Sequence, residues 1–263
     1  MKNNLKNIEE ICSEAAILAG HKIMEIYNND TLFANVEYKS DKSPLTLADT
    51  AANTIIVETL SKHFPSYAIL SEEEQDDLTR LDNPYCFIVD PLDGTKEFIK
   101  RNGQFTVNIA LAYNYRVIMG VIYVPYTQEL YTASKNNGSY YIKGDAQKTK
   151  IQVSKTKDLS KVRLVMSSSH GCQEMDDLIE KYHFSNFVKM GSSLKGCLVA
   201  KGEAEIYYRH NPTMEWDTAA MQCIVEEAGG IFRQLDGSEM LYNRKNSLNH
   251  KGFYIVNCKE NIL

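Results

Sequence analysis

The stretch that decides the fold runs from Cys86 to Thr95 and reads CFIVDPLDGT. Its first four residues are apolar and rich in β-formers, which predicts a buried strand. Pro91 and Gly94 then force the chain to turn directly after that strand. We therefore expect two carboxylates, those of Asp90 and Asp93, on a tight bend at the end of a buried strand.

Two aspartates on one bend suggest a cation site. Like charges held at one point repel each other unless a cation lies between them. Mg²⁺ takes hard oxygen ligands, such as carboxylates, backbone carbonyls and water. The carbonyl of Leu92, on the same bend, is a further candidate ligand. The alternative is an ordinary turn that uses Asp and Gly for their turn chemistry, and the motif alone leaves both open.

Two helices are predicted ahead of this strand. Apolar residues recur at helical spacing over Leu5–Tyr27. Pro44 interrupts the chain, and Thr46 is placed as the N-cap of a second helix that ends near His63. Six β-rich runs follow, at Tyr67–Leu70, Tyr85–Val89, Phe105–Ala112, Val117–Tyr123, Glu129–Ala133 and Tyr140–Ile142. The pattern predicts an α+β half over residues 1–150, with N-terminal helices packed on an antiparallel sheet.

After residue 150 the predicted elements alternate. Strands are expected at Val162–Met166, Phe187–Met190, Ala204–Tyr208, Ile231–Phe232 and Phe253–Val256, and helices at Gln173–Tyr182, Ser193–Ala200 and Thr218–Ala228. Alternation of this kind is typical of an α/β half with a mixed sheet, here covering residues 151–263. We expect the two halves to pack tightly, with a cleft between them.

Composition narrows the class of protein. The chain has 263 residues, 43% of them hydrophobic, and a formal charge of −5. These values exclude a disordered or fibrous chain and argue against a protein that coats a nucleic-acid polymer. No apolar run approaches the ~20 residues of a membrane span, and acidic residues near the N-terminus do not fit a signal peptide. A cytoplasmic protein is expected, with a peripheral position at the inner membrane as the alternative.

Other acids fall at positions that would extend a metal site. Glu72 follows the strand predicted at Tyr67–Leu70, and neighbouring strand ends cluster; its alternative is a solvated acidic loop. Asp217 follows Trp216 and opens a helix, where a helix cap is the alternative. Asp49 lies in the first turn of the second helix, where a surface acid favoured by the helix dipole is the default.

Three blocks together carry a family resemblance. The Glu-Glu pair after a short strand, D-P-L-D-G-T and W-D ahead of a helix resemble the signatures of the Mg²⁺-dependent, lithium-sensitive phosphatases that include inositol monophosphatase. Residues 90–111 and 191–200 are most similar to the bacterial 3′(2′),5′-bisphosphate nucleotidases in that superfamily. The resemblance spans essentially the whole chain and is loose over 134–160 and 233–250. It implies an inositol monophosphatase-like layered α/β sandwich.

The resemblance also implies a metal-assisted phosphomonoesterase. The implied ligands of two Mg²⁺ ions are Glu72, Asp90, the Leu92 carbonyl, Asp93 and Asp217. Two metals about 3.5–4 Å apart can clamp a phosphate and activate a water for in-line attack. Thr95 would orient that water. Asp49 would help to deprotonate it or bind a third, weaker Mg²⁺.

Substrate contacts are implied in both halves. The expected set is Glu72, Leu92, Asp93, Gly94, Thr95, His170, Ser192, Lys195, Arg209 and Asp217. Lys195 would pair with the phosphate that is not cleaved, and its alternative is a surface lysine. His170 would contact the base or ribose, and its alternative is an ordinary loop histidine. Arg209 is a candidate nucleotide contact that the sequence leaves open.

The function that the resemblance implies is hydrolysis of adenosine 3′,5′-bisphosphate to AMP and phosphate. A second expected substrate is 3′-phosphoadenylyl sulfate. The alternative within the superfamily is an inositol monophosphatase, and the alternative outside it is a non-catalytic metal- or nucleotide-binding module. The expected partner is a small nucleotide bisphosphate rather than a nucleic-acid polymer, and the expected state is a monomer or a homodimer.

Overall fold

The chain folds into two main β-sheets with helices on and between them. The computed structural model describes residues 2–34, 36–38, 44–168 and 171–263. Its helices are α1 (Lys2–Tyr27), α2 (Asp30–Phe33), α3 (Leu47–His63), α4 (Thr95–Ile99), α5 (Gln173–Tyr182), α6 (Leu194–Ala200) and α7 (Glu215–Glu227). The mixed α/β composition confirms the predicted fold class.

Most strands of the first half form one large sheet. The strands of this half are β1 (Val36–Tyr38), β2 (Pro44–Thr46), β3 (Ala68–Ser71), β4 (Tyr85–Asp93), β5 (Thr106–Tyr113), β6 (Arg116–Val124), β7 (Glu129–Ser134), β8 (Gly138–Lys143) and β9 (Thr149–Ile151). Strands β3 to β9 lie side by side in sequence order, and β1 pairs with β2 separately. Each predicted strand of this half is present, and β9 is one that periodicity did not predict.

The prediction of a wholly antiparallel sheet is wrong for one pair. Strands β3 and β4 run parallel, with Ser71 opposite Val89, whereas the other neighbours in this sheet are antiparallel. The long connection over residues 72–84 acts as the crossover that parallel pairing requires. The ends of β3 and β4 therefore meet at one edge of the sheet, which places Glu72 beside the start of the acidic bend.

The second half contains a mixed sheet. The strands of the second half are β10 (Leu164–Ser167), β11 (Phe187–Met190), β12 (Ile206–Arg209), β13 (Thr213–Met214), β14 (Ile231–Gln234), β15 (Leu248–Asn249) and β16 (Phe253–Val256), and five of them form the mixed sheet. The order is β11-β10-β12-β16-β14, with parallel pairs around β10 and antiparallel pairs around β16. The division at residue 150 stays a prediction, because β9 lies at that boundary and pairs in the first sheet.

The first sheet is buried on both faces, which makes the fold a sandwich. On one face, α1 and α3 pack against alternate residues such as Phe87 and Val89. On the other, α6 and α7 pack between the two sheets against Cys86, Ile88 and Ala110. Helix α5 covers the outer face of the second sheet. The layered arrangement confirms the predicted sandwich.

A glycine sets how closely α7 approaches the first sheet. A Cβ at Gly120, on β6, would lie 2.5 Å from the backbone oxygen of Ala220. Any larger residue would push α7 away from the sheet. Because α7 carries Asp217, this contact helps to fix one of the predicted ligands.

Two further properties of the described residues bear on the sequence predictions. No helix in that part of the chain is long and apolar enough to cross a bilayer. The six cysteines are all free thiols, four of them buried.

Candidate active site

The acidic bend lies where the buried strand β4 ends. Asp90 is 2% exposed, and its Oδ1 accepts a hydrogen bond from the Leu92 amide at 3.1 Å. The pairing of β4 with β5 is regular up to Asp90 and shifts register before Asp93. Gly94 follows with φ +94° and precedes α4. The sequence forms this bend because glycine readily adopts a positive φ where a residue with a side chain would be strained.

Asp217 joins these acids from the opposite half of the chain. It lies in the first turn of α7, and its Oδ2 accepts a hydrogen bond from the Met214 amide at 2.6 Å. Carboxylate oxygens of Asp90, Asp93 and Asp217 all lie within 4.8 Å of one another. Asp217 therefore caps its helix, as the alternative proposed, and also contributes to a group of acids that could hold a metal ion.

Glu72 completes the acidic lining. Its amide donates to the Val89 carbonyl at 3.1 Å, which extends the parallel pairing of β3 and β4 by one residue. The residue lines the same cavity as Asp90, Leu92, Asp93 and Asp217. We call Glu72, Asp90, Asp93 and Asp217 the acidic cluster.

Burial and repulsion by neighbouring acids disfavour the charged forms of Asp90 and Asp217. Burial is the main cause that raises the pKa of Asp90 well above its usual range, and the charges of Glu72, Asp93 and Asp217 add to the effect. Burial and the charge of Asp93 likewise raise the pKa of Asp217 to about 8. A cation placed among these carboxylates would offset both effects. The donor set, which is all oxygen, therefore fits Mg²⁺.

Asp49 and Thr95 form a pair beside the acidic cluster. The Thr95 hydroxyl donates to Asp49 Oδ1 at 3.1 Å. Asp49 Oδ2 accepts from the amide and the hydroxyl of Thr46, at 2.7 and 2.5 Å. Asp49 is only 2% exposed, so the default of a surface acid is wrong. Burial raises its pKa, and the hydrogen bonds from Thr46 and Thr95 oppose that rise.

Two cationic residues line the same cavity, and we call them the basic pair. Lys195, on α6, is 8% exposed, so the surface-lysine alternative is wrong. Its Nζ donates to the Ser192 carbonyl at 2.6 Å and lies 5.6 Å from the centre of the Tyr207 ring. Burial lowers the pKa of Lys195 to about 8, and the charge of Asp93 opposes that shift. Arg209, on β12, has a buried Nε that makes no hydrogen bond within the described part of the chain.

The cavity brings most of the predicted site residues together. It has a volume of about 260 Å³. The predicted residues on its lining are Glu72, Asp90, Leu92, Asp93, Gly94, Thr95, Ser192, Lys195, Arg209 and Asp217. Asp49 lies behind Thr95, and His170 falls outside the residues that the structure describes. The assignment of catalytic, metal-binding and substrate-binding roles to these residues stays a prediction.

Several lining residues were not predicted from the sequence. Among them are Ser193, Tyr207, Thr213, Met221 and Phe253. Ser193 had a usable signal, since it stands beside Ser192 in a block that carried the family resemblance. Tyr207, Met221 and Phe253 lie on elements whose apolar patterns predicted only core positions, and Thr213 lies on β13, a strand that was not predicted.

Comparisons with known proteins agree with this geometry. The pattern that defines the inositol monophosphatase family matches residues 4–257. The chain is 43% identical over 258 residues to the 3′(2′),5′-bisphosphate nucleotidase CysQ of Buchnera aphidicola, covering 96% of this chain and 95% of that one. It is 37% identical over 249 residues to the Escherichia coli K12 protein of that name, covering 94% and 98%.

Solved structures give the same result. The crystal structure of CysQ from Bacteroides thetaiotaomicron superposes with a TM-score of 0.84 at 38% identity, covering 96% of this chain and 98% of that one. The inositol monophosphatase from Anabaena superposes with a TM-score of 0.77 at 26% identity, covering 97% and 92%. On its sequence pattern, its layered fold and its close relatives, this chain belongs to the inositol monophosphatase family.

Proposed function

We propose that this protein is a Mg²⁺-dependent 3′(2′),5′-bisphosphate nucleotidase that hydrolyses adenosine 3′,5′-bisphosphate to AMP and phosphate. The observation that carries the proposal is a single cavity lined by both the acidic cluster and the basic pair. Acids that can hold a metal suit the phosphate that is cleaved, and two cations suit a second anionic group. The relatives named above carry the same activity in their names.

The acidic cluster and the Leu92 carbonyl are the groups that would hold Mg²⁺, as two or three ions. Asp90 and Asp217 suit this role because burial, together with the charges of neighbouring acids, raises their pKa values, and a bound cation would offset that repulsion. When bound, Mg²⁺ would neutralise charge on the phosphate and lower the pKa of a water molecule.

Thr95 is suited to orient the attacking water. Its single proton has two acceptors in reach, and Asp49 Oδ1 at 3.1 Å is nearer than the Leu92 carbonyl at 3.4 Å, so the proton favours Asp49. The Thr95 oxygen is therefore left to accept a hydrogen bond from water on the cavity side. Asp49, which Thr46 holds through two hydrogen bonds, fixes the hydroxyl in this direction. In this proposal Asp49 acts one step behind the reacting groups, with Thr95 as the contact to water.

Backbone amides ahead of α4 would contact the phosphate. The amides of Glu97 and Phe98 donate to the Gly94 carbonyl, at 2.8 and 2.9 Å. Those of Thr95 and Lys96 precede these first helical hydrogen bonds, and both residues line the cavity. Free amides at such a position favour an anion.

The basic pair favours a bisphosphate over inositol 1-phosphate. A buried guanidinium nitrogen without a hydrogen-bond partner is costly unless a ligand supplies the acceptor. Inositol 1-phosphate offers one phosphate, which the acidic cluster would engage through Mg²⁺. Adenosine 3′,5′-bisphosphate and 3′-phosphoadenylyl sulfate each offer a second anionic group for Lys195 and Arg209, so both belong to the proposal.

Phosphate release tests the proposed function. It should be measured with adenosine 3′,5′-bisphosphate, inositol 1-phosphate and fructose 1,6-bisphosphate, with and without Mg²⁺, and then with added Li⁺. We expect Mg²⁺-dependent, Li⁺-inhibited release that is fastest from the first substrate. Absence of Mg²⁺-dependent release from that substrate contradicts the proposal, and faster release from inositol 1-phosphate favours the alternative within the family.

A cytoplasmic location and a monomeric or homodimeric state are part of the same proposal. The small nucleotide that we infer as substrate is a cytoplasmic type of metabolite, and nothing in the mechanism above needs a second subunit. Light scattering of the purified protein would distinguish a mass of 29.9 kDa from twice that value.

A further inference from the structure

One carboxylate oxygen of Asp93 is the end point of several short hydrogen bonds. Asp93 Oδ2 accepts from the Ser192 hydroxyl at 2.7 Å, the Ser193 amide at 2.7 Å and the Ser193 hydroxyl at 2.8 Å. These donors come from the segment that begins α6, about a hundred residues away in sequence. Thr106 Oγ1 and the Asn108 amide nitrogen lie farther from the same oxygen, at 3.5 and 3.4 Å. The three short bonds use the lone pairs of Oδ2, and no described residue donates to Oδ1, so Oδ1 is the oxygen with capacity for a cation.

The proton of Ser193 has a defined direction. The Asn108 amide nitrogen donates to Ser193 Oγ at 2.9 Å. Because that oxygen accepts from Asn108, its own proton is directed elsewhere. The contact to Asp93 Oδ2 at 2.8 Å is shorter than the one to the Asp217 carbonyl at 3.2 Å. Asn108 therefore orients Ser193 toward Asp93.

Ser192 is held in a similar way. Thr106 Oγ1 lies 2.6 Å from Ser192 Oγ. A serine hydroxyl that donates to Asp93 can still accept a proton from Thr106. The same Thr106 hydroxyl lies 2.9 Å from the Asn108 side-chain oxygen, but its one proton is used by Ser192, so this contact is not a second hydrogen bond and the two serines are oriented independently.

Three of these four polar residues are buried where the fold would otherwise place apolar ones, and Ser192 is partly buried. Thr106, Asn108 and Ser193 are at most 2% exposed. Thr106 and Asn108 are two positions apart on β5 and so face the same side, where Ala110 and Ala112 belong to the core. Buried polar groups cost free energy unless they are hydrogen-bonded. Polar side chains at these core positions therefore indicate a role other than packing.

We propose that Ser193, assisted by Ser192, is a positioning residue for the metal ligand Asp93, and that Thr106 and Asn108 orient the two serines. The serines occupy Oδ2, so that Oδ1 faces the position of Mg²⁺. The inference rests on the proposed function in one respect, namely that Asp93 is a metal ligand. A purely structural role, in which the serines only tie the two halves together, predicts a loss of stability without a change in Mg²⁺ affinity.

Binding of Mg²⁺ alone separates these two roles. It should be measured by isothermal titration calorimetry and by the fluorescence of Trp216, the single tryptophan, which neighbours Asp217. We expect Ser193→Ala to weaken Mg²⁺ binding about tenfold, since loss of a partner that orients a metal ligand typically costs 10–100-fold. It should lower kcat by a similar factor and leave KM for the nucleotide within about twofold, because the serine acts through the metal ligand.

Further variants keep the test independent of folding. Ser193→Thr retains the hydroxyl and should bind Mg²⁺ within about threefold of the wild type, as the hydroxyl is the group that matters. Thr106→Val removes the more distant hydroxyl with little change in shape, and it should weaken Mg²⁺ binding by a smaller factor than Ser193→Ala. The matched control is Ser139→Ala on β8, which removes a buried hydroxyl with no hydrogen-bond partner in the described residues. It should leave Mg²⁺ affinity unchanged.

The outcomes distinguish this inference from the proposed function. Wild-type Mg²⁺ affinity in both Ser193→Ala and Thr106→Val overturns the positioning role, whatever their thermal stability. If the wild type binds Mg²⁺ but releases no phosphate from the nucleotide, the proposed function fails and the Ser193 result still decides the inference. If the wild type binds no Mg²⁺, both are overturned.

Discussion

The acidic cluster and the basic pair line one cavity but are held in different ways. Asp93 and Asp217 have their hydrogen-bond partners within the protein, from the Ser192–Ser193 segment and from the Met214 amide. Arg209, by contrast, has a buried nitrogen without a partner in the described residues. The protein therefore fixes these two acids in advance, whereas Arg209 keeps a donor that a ligand can satisfy and Lys195 is held by one protein hydrogen bond, to the Ser192 carbonyl.

This difference suggests a division of labour. Preorganised oxygen ligands suit a cation that remains in place through many turnovers. Incompletely satisfied cations suit an anionic group that arrives and leaves with each substrate. Substitutions in the acidic cluster should therefore affect the rate of the chemical step, and substitutions in the basic pair should affect recognition of the second phosphate.

The largest effect is expected for Asp93→Asn. Metal-ion stabilisation of the transition state is worth several kcal/mol, and each ~1.4 kcal/mol is a factor of ten in rate. We therefore expect kcat to fall by about 10³-fold or more, with the fold retained by circular dichroism. Asp177→Asn, which removes an exposed carboxylate on α5, should have wild-type activity. Substantial turnover by Asp93→Asn would mean that the metal site lies elsewhere.

A smaller and different effect is expected for Arg209→Gln. Hydrogen bonds to charged groups contribute about 1.5–3 kcal/mol, so KM for adenosine 3′,5′-bisphosphate should rise about 10–100-fold. Hydrolysis of adenosine 3′-monophosphate, which lacks the second phosphate, should change little. Arg116→Gln, an exposed arginine paired with Glu239, is the matched control. Equal losses on both substrates would contradict the assignment of Arg209 to the second phosphate.

The pH dependence of recognition should follow Lys195. Burial lowers its pKa to about 8, so the side chain is protonated below that pH and loses its charge above it. KM for the bisphosphate should therefore rise by roughly three- to tenfold between pH 7 and pH 9, since one charge–phosphate contact is lost. Steady-state kinetics of Lys195→Met should show a raised KM that no longer varies over this range. An unchanged pH profile in that variant would remove Lys195 from the basic pair.

The smallest effect concerns the stability of the metal-free protein. Asp90 and Asp217 have raised pKa values in the folded state, so the native protein binds more protons than the unfolded chain between the ordinary aspartate pKa and the raised one. Their contribution to stability is present at low pH and is lost as pH rises through the folded pKa. In EDTA, Tm should therefore fall between pH 5 and pH 7.5 by a few degrees.

Two comparisons isolate this contribution. The Tm of Asp217→Asn should fall less steeply than that of the wild type over the same pH range, because one of the two titrating groups is gone. Added Mg²⁺ should raise Tm of the wild type most at the upper end of the range, where the acids would otherwise be charged and unpaired. A Tm that rises with pH equally in both proteins would contradict the repulsion that we assign to the acidic cluster.

The sequence was most informative where local rules decide the structure. The strand and bend from Cys86 to Thr95 and the cap at Thr46 depend on residues close together in the chain, and both are present. The parallel pairing of β3 and β4 was not predictable, because periodicity does not report the direction of a neighbouring strand.

Long-range placement explains what was missed at the site. Asp49 and Lys195 have patterns typical of surface residues, and only the packing of the layers buries them. The contact of Ser193 with Asp93 joins residues one hundred positions apart. Polar residues on β5 were a usable signal, since Thr106 and Asn108 interrupt an apolar run, but their partners depend on how α6 meets the first sheet.

A crystal structure with Mn²⁺ and AMP would test the central claim most directly. Mn²⁺ replaces Mg²⁺ among oxygen ligands and can be located by its anomalous scattering, and the phosphate of AMP represents the one that is not cleaved. We predict anomalous peaks bounded by Asp90, Asp93 and Asp217, with the AMP phosphate in contact with Lys195 and Arg209. Metal peaks away from these aspartates, or AMP bound outside this cavity, would contradict the account.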